Sequence, residues 1–202
     1  ILGQSLKFRE KDIRILTISG LLHDIGKIMI PNEILTKPGK LTVAEYNIMK
    51  QHVNFGYEKV KNQNIDIRIK EACLLHHEKC DGTGYPFGLK SDHIPAVAKI
   101  IAIADVYDAM TSARVYRGAL CPFEVIDTMY KDAFTKFEPE YILPFLKNVA
   151  SSYINNDVRL SDGRIGKVVL INENALSLPI VQCEDEFIDL SKTRGLTFSA
   201  IL

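Results

Sequence analysis

His76-His77-Glu78-Lys79-Cys80-Asp81-Gly82-Thr83-Gly84-Tyr85-Pro86 packs two adjacent imidazoles, two carboxylates and a glycine-rich turn into one short stretch. A hydrophobic core rarely takes neighbouring imidazoles, because each ring brings polar nitrogens that need partners. A metal site wants them. The residues just upstream set a helical frame. Ile69, Ala72, Cys73 and His76 fall at i, i+3, i+4 and i+7, one continuous stripe leading into the histidine pair. Working outward, further ligand-type residues occur at His23-Asp24, at His52 and at Asp105.

The same periodicity extends over most of the chain. Residues 12–149 read as helices joined by short turns. The first helix is predicted over 12–24 and ended by Gly26, with a loop over 27–40 that holds Pro31, Pro38 and Gly39. Thr42 and Glu45 have the spacing of a capping box, which opens a helix predicted to carry His52. Val97, Ile100, Ile101, Ala104, Asp105 and Asp108 form another stripe, which puts two carboxylates on an inward face. Burying an unpaired carboxylate is costly, so that face needs a metal, a cation or hydrogen bonds. Further helices are predicted over 122–133 and 139–153.

The character changes near Asn155-Asn156-Asp157. Ser161-Asp162-Gly163 signals a turn, and 165–171, 178–183 and 186–190 read as short strands. The expectation is a mainly α fold: a helical domain over 1–154 and a small β-rich appendage over 155–202.

Composition narrows the function classes. The chain has 202 residues, 47% of them hydrophobic, which is enough for an ordinary core. Lys+Arg and Asp+Glu balance at 25 each, which argues against a DNA- or RNA-binding arm or a membrane-surface patch. An anionic substrate must therefore be attracted by local charge. Cys73, Cys80, Cys121 and Cys183 show no C-x-x-C spacing, so a reduced cytoplasmic protein without a structural zinc site is expected. No apolar run is long enough to cross a bilayer, and no signal-peptide pattern opens the chain. The first residues read as the middle of a helix with no Met before them, as in a piece of a longer protein.

His23, Asp24, His52, His76, His77 and Asp105 are too many ligands for one mononuclear site with open positions. Histidine and carboxylate without thiolate suit iron, manganese or zinc. Neighbours on a helix, such as His23-Asp24 and His76-His77, point about 100° apart, a divergence that lets neighbours ligate different metals. Two metals about 3.5–4 Å apart activate a water and stabilise the oxygens of a phosphoryl displacement. Lys27, one turn after His23, is placed to add a positive charge for a phosphate oxygen. His93, in a polar loop, reads as an ordinary surface histidine.

These motifs resemble a known family. His23-Asp24-Ile25-Gly26-Lys27 is similar to the His-Asp-x-Gly-Lys motif of the HD-superfamily metal phosphohydrolases. The His76–Pro86 stretch is similar to the HD-GYP signature. Asp105-Val106-Tyr107-Asp108-Ala109-Met110-Thr111-Ser112, with Arg114, Tyr116 and Arg117, is similar to that subfamily's third motif. The resemblance covers roughly residues 8–148. It implies an HD-type helical bundle and a metal-dependent cyclic di-GMP phosphodiesterase forming pGpG or GMP. It implies two or three divalent ions, iron first and manganese second. His23, Asp24, His52, His76, His77 and Asp105 become the metal ligands, with Asp24 bridging. Asp24 and Lys27 take catalytic roles. Lys27, Tyr85, Asp108, Thr111, Arg114 and Arg117 lie toward the substrate, and the Gly84-Tyr85-Pro86 motif toward a diguanylate cyclase (GGDEF) partner. The family also carries a further histidine on a helix before the His-Asp motif. No histidine precedes His23, so that helix is expected upstream of residue 1. Phe137-Glu138-Pro139 stands where the family more often has Phe-Asp-Pro.

Two other functions remain open on these residues. One is an HD-type hydrolase of another nucleotide. The other is a regulatory domain that binds cyclic di-GMP without turnover.

Overall fold

The computed structural model describes residues 2–112 and 120–202, and the fold is mainly helical with a small antiparallel sheet. The helices are α1 (Leu2–Ser5), α2 (Glu10–Leu22), α3 (Asn32–Leu35), α4 (Val43–Met49), α5 (His52–Val60), α6 (Ile67–Leu75), α7 (Ala96–Thr111), α8 (Pro122–Asp132) and α9 (Pro139–Ser152). A 3₁₀ turn, Ile25–Met29, follows α2.

Around the site, α2, α6 and α7 share one apolar seam of Ile15, Leu16, Ile69, Ala72, Val97, Ile100 and Ile101. Arg68 fastens it at the edge, bridging Asp66 at 2.9 Å and Asp12 of α2 at 2.8 Å. The capping box is present at α4. Thr42 Oγ1 accepts from the Glu45 amide, and the Glu45 carboxylate accepts from the Thr42 amide.

The helix predicted to run from Thr42 through His52 is broken at Lys50-Gln51, and His52 begins a new helix. At the break, the Met49 carbonyl accepts from the His52 ring at Nδ1, 2.8 Å away. The first helix likewise stops at Leu22, ahead of the predicted end. Asp24 and Gly26 then sit in the 3₁₀ turn, which packs directly on α5. Gly26 is required by that approach. A Cβ there would collide with the His52 carbonyl and the Gly56 amide.

The C-terminal sheet has strand order β4-β3-β2-β1-β5, all antiparallel: β1 (Asp157–Leu160), β2 (Ile165–Leu170), β3 (Ile180–Cys183), β4 (Glu186–Asp189) and β5 (Phe198–Ile201). The three strands predicted from sequence are β2, β3 and β4. The strands β1 and β5 were not foreseen. One apolar core unites Ile103, Phe123, Ile126, Met129, Ile142 and Leu146 of the helices with Val158, Leu160, Val168, Val181 and Phe198 of the sheet. Phe123 and Phe198 stack with ring centroids 4.5 Å apart. The change in secondary structure near residue 155 therefore lies across a shared core.

Candidate metal centre

Helix ends deliver most of the ligand-type side chains to one place. His23 follows α2, Asp24 opens the 3₁₀ turn, His52 starts α5, and His76 caps α6 with His77 just beyond. Asp105 alone comes from mid-helix, in α7. Their donor atoms form two overlapping groups, Asp24 with His52, His76 and His77, and Asp24 with His23 and Asp105. Within each group all donors lie within 4.8 Å of one another, and Asp24 belongs to both.

The histidines are oriented by the main chain. Nδ1 of His23, His52 and His76 lies 2.9, 2.8 and 2.9 Å from the carbonyls of Gly20, Met49 and Ala72. A carbonyl only accepts, so each Nδ1 is assigned the proton. Nε2 of His52 and of His76 then turns a lone pair toward the cluster. His52 and His76 are 1% exposed, so no bulk water answers those lone pairs.

The electrostatics fit a cation. Asp24 Oδ1 and His23 Nε2 are buried without a hydrogen-bond partner. Burial opposes ionisation of Asp24, but His23 and Lys27 outweigh it and hold the carboxyl well below the usual range. Burial likewise opposes charging His23, yet Asp105 and Asp24, 3.7 and 3.3 Å from Nε2, push it up to about 10. A proton on His23 thus balances the two carboxylates in the absence of metal. Burial above all lowers His52, His76 and His77 and favours their neutral form, the form that ligates a metal. Orphaned donors, neutral imidazoles and ionised carboxylates match the needs of divalent ions.

His76 and His77 fall in the same donor group, with ring centroids 4.2 Å apart. His76 is the cap of α6 and His77 lies beyond it, so helical spacing no longer separates them. The inward stripe on α7 needs correction. Val97, Ile100 and Ile101 are buried, but Ala104 and Asp108 are exposed and Asp105 is half-buried. This face leaves the core and continues into the open site.

Lys27 Nζ lies against Asp24 Oδ2, so its charge is engaged by a carboxylate. Tyr85 stacks on His77, centroids 4.7 Å apart at 25°. Burial keeps its phenol neutral by pushing the pKa upward. The Thr111 hydroxyl donates to the Tyr107 carbonyl at 2.8 Å, and Asp108 accepts from the Ser112 hydroxyl at 3.4 Å. Neither belongs to the donor groups found among the described residues. Arg114, Tyr116 and Arg117 lie outside the described residues.

Glu78 and Asp81, ligand types by composition, build the loop. Glu78 is 4% exposed and accepts from the amides of Phe87 and Leu89 at 2.7 and 2.9 Å. Asp81 accepts from the amide and hydroxyl of Thr83. Gly84 folds back so closely on His77, Glu78 and Lys79 that a Cβ would strike their backbone. Glu78 was the residue whose work sequence reasoning missed. Its adjacency to the His pair masked a partner nine residues away.

A family model described as HD domain matches residues 1–141. The chain belongs to the HD domain family. An HD domain implies divalent metal binding, and the His/Asp cluster is a group of side chains that could hold a metal ion. The chain is 37% identical over 182 residues to the cyclic di-GMP phosphodiesterase PA4108 of Pseudomonas aeruginosa, covering 90% of this chain and 44% of that protein. It is 44% identical over 117 residues to the 3'3'-cGAMP-specific phosphodiesterase 1 of Vibrio cholerae serotype O1, covering 56% and 26%. In solved structures the HD domain resembles Bd1817, a HDG"Y"P protein from Bdellovibrio bacteriovorus, with TM-score 0.58 and 23% identity, covering 71% and 46%. That last likeness concerns the fold. The chain spans less than half the length of each of these proteins.

Proposed function

We propose that this HD domain is a metal-dependent phosphodiesterase that hydrolyses cyclic di-GMP to pGpG or GMP. The observation that carries the reading is Asp24: it belongs to both donor groups and keeps a buried, partnerless Oδ1. In this reading His23, Asp24, His52, His76, His77 and Asp105 would hold two ions, Asp24 being common to both donor groups. Iron is the first choice and manganese the second, since both suit imidazole and carboxylate donors. A third ion goes with the further histidine of the family pattern. Bound there, such ions supply an activated water and neutralise developing charge on the phosphoryl oxygens.

The chain's own residues position and polarise the substrate. Lys27, on the Asp24 carboxylate, offers its remaining donors to a phosphate oxygen. Tyr85 closes one side of the site with a neutral hydroxyl. Asp108 and Thr111, with Arg114 and Arg117, belong to the substrate side. Relatives named for cyclic di-GMP and for cGAMP support a cyclic dinucleotide as the substrate class. The Gly84-Tyr85-Pro86 loop, with Phe87 62% exposed beside it, is offered to a diguanylate cyclase partner. No helix among the described residues is long and apolar enough to cross a membrane, and a cytoplasmic setting accords with this chemistry. Residues 155–202 form a separate β-rich section in sequence and share the core of the helical domain.

The test is elemental analysis of protein reconstituted with iron or manganese, then product chromatography with cyclic di-GMP and 3'3'-cGAMP in parallel. Two or more ions per chain and release of pGpG or GMP are expected. Preferred cleavage of cGAMP would favour the other-nucleotide reading. Tight binding without turnover would favour a regulatory domain.

A further inference from the structure

Lys50 is half-buried at the end of α4, two residues before His52. A lysine at a helix C-terminus is ordinary. Its surroundings here are not. Its ammonium lies over the Tyr46 ring at 5.3 Å and over the Tyr85 ring at 5.9 Å, both within cation–π range. Tyr85 is the ring that also stacks on His77. No carboxylate pairs with Lys50 among the described residues, whereas Lys27 is already engaged by Asp24. Two ring faces therefore fix a cation beside the donor cluster and leave its N–H donors for a ligand. A chain with no net charge must attract an anion by such local means.

We propose that Lys50 binds the substrate phosphate that is not being cleaved, and so selects for ligands with two phosphodiester groups. This rests on the cyclic dinucleotide reading above. Tyr46 and Tyr85 act as guides that hold the ammonium. The reacting phosphate belongs to the His/Asp cluster, and Lys50, set off from it by the Tyr85 ring, serves the other one. A linear phosphodiester with a single phosphate has nothing to offer it.

The experiment compares wild type, Lys50→Met and Lys50→Arg as metal-loaded proteins, with cyclic di-GMP and with bis(p-nitrophenyl) phosphate as probes. Met keeps an apolar stem against the rings and removes the charge. Lys50→Met is expected to raise KM for cyclic di-GMP roughly tenfold or more, as loss of a charge-assisted hydrogen bond does. Its kcat, metal content and activity on bis(p-nitrophenyl) phosphate should stay near wild type, and Lys50→Arg should recover part of the loss. An unchanged KM in Lys50→Met overturns the proposal. So does an equal loss on both probes, or a loss of bound metal or melting temperature, since either makes Lys50 part of the metal centre or of the fold. Wild-type protein that cleaves bis(p-nitrophenyl) phosphate but leaves cyclic di-GMP intact would refute the substrate reading itself.

Discussion

Nε2 of His52 and Nε2 of His76 face each other at 3.4 Å while the Nδ1 of each ring is turned to a backbone carbonyl. With both Nδ1 atoms as donors, both Nε2 atoms are acceptors, and two lone pairs cannot bond to each other. A cation between them resolves the conflict. Metal binding should therefore stabilise the fold: at ligand one hundred times Kd the gain is about 2.7 kcal/mol. Chelation should lower the melting temperature, and iron or manganese should restore it. An identical melting curve with and without chelator would count against a metal in this cluster.

Asp24→Ala removes the carboxylate shared by both donor groups. Metal content and phosphodiesterase activity should fall together. Measuring both on one sample, beside a melting curve, separates this from a purely structural role, which would lower stability and leave metal stoichiometry intact.

Gly26→Ala places a methyl against the His52 carbonyl and the Gly56 amide. These are backbone atoms of α5 and cannot swing aside as a side chain would. The helix start must shift, and His52 with it. Reduced metal affinity is expected even though no donor has been altered. Titration of the variant with manganese, read against wild type, checks this.

Glu45 supplies a pH dependence. The Lys37 ammonium, followed by the Thr42 amide and hydroxyl, lowers its carboxyl from 4.5 to about 2. The folded state thus favours the ionised form. The resulting stability is fully present above pH 4.5 and is lost as pH falls from there through about 2. Glu45→Gln should be less stable than wild type at pH 6, with the gap closing over that window. A gap that does not change with pH would exclude the carboxylate as its cause.

Phe123→Ala should cost about 3–5 kcal/mol, because the ring is fully buried between helices and sheet. By the same logic a chain ended at Ser152 exposes Phe123 and its neighbours to water and should lose cooperative unfolding. If that shortened chain melts sharply and keeps its metal, the helical part is self-sufficient.

The residues of the His/Asp cluster were legible because they depend on local order: residue types at fixed spacings along helices that also carry apolar stripes. The capping box at Thr42 and Glu45 was legible for the same reason. Three features were not. The break before His52 falls at Lys50-Gln51, where no glycine or proline marks it in the sequence. The strands Asp157–Leu160 and Phe198–Ile201 are four residues each and too short to establish a period, and they pair only across distance in the chain. The placement of Glu78 required knowing that Phe87 and Leu89 return to it. Glu138, the departure from Phe-Asp-Pro, is likewise explained only in space: it accepts from Lys99 at 2.6 Å and from the Ser91 hydroxyl.

The carbonyls of Gly20, Met49 and Ala72 are main-chain groups, so their hold on the three imidazoles survives any change of side chain at those positions. Metal sites that orient histidines through carboxylates can be retuned by replacing the carboxylate. Here that route is closed. The ring angles are a property of where α2 and α6 end and of where the chain breaks between α4 and α5. Evolution or a designer can adjust them only by moving a helix terminus, which ties the chemistry of the site to the length of its scaffold.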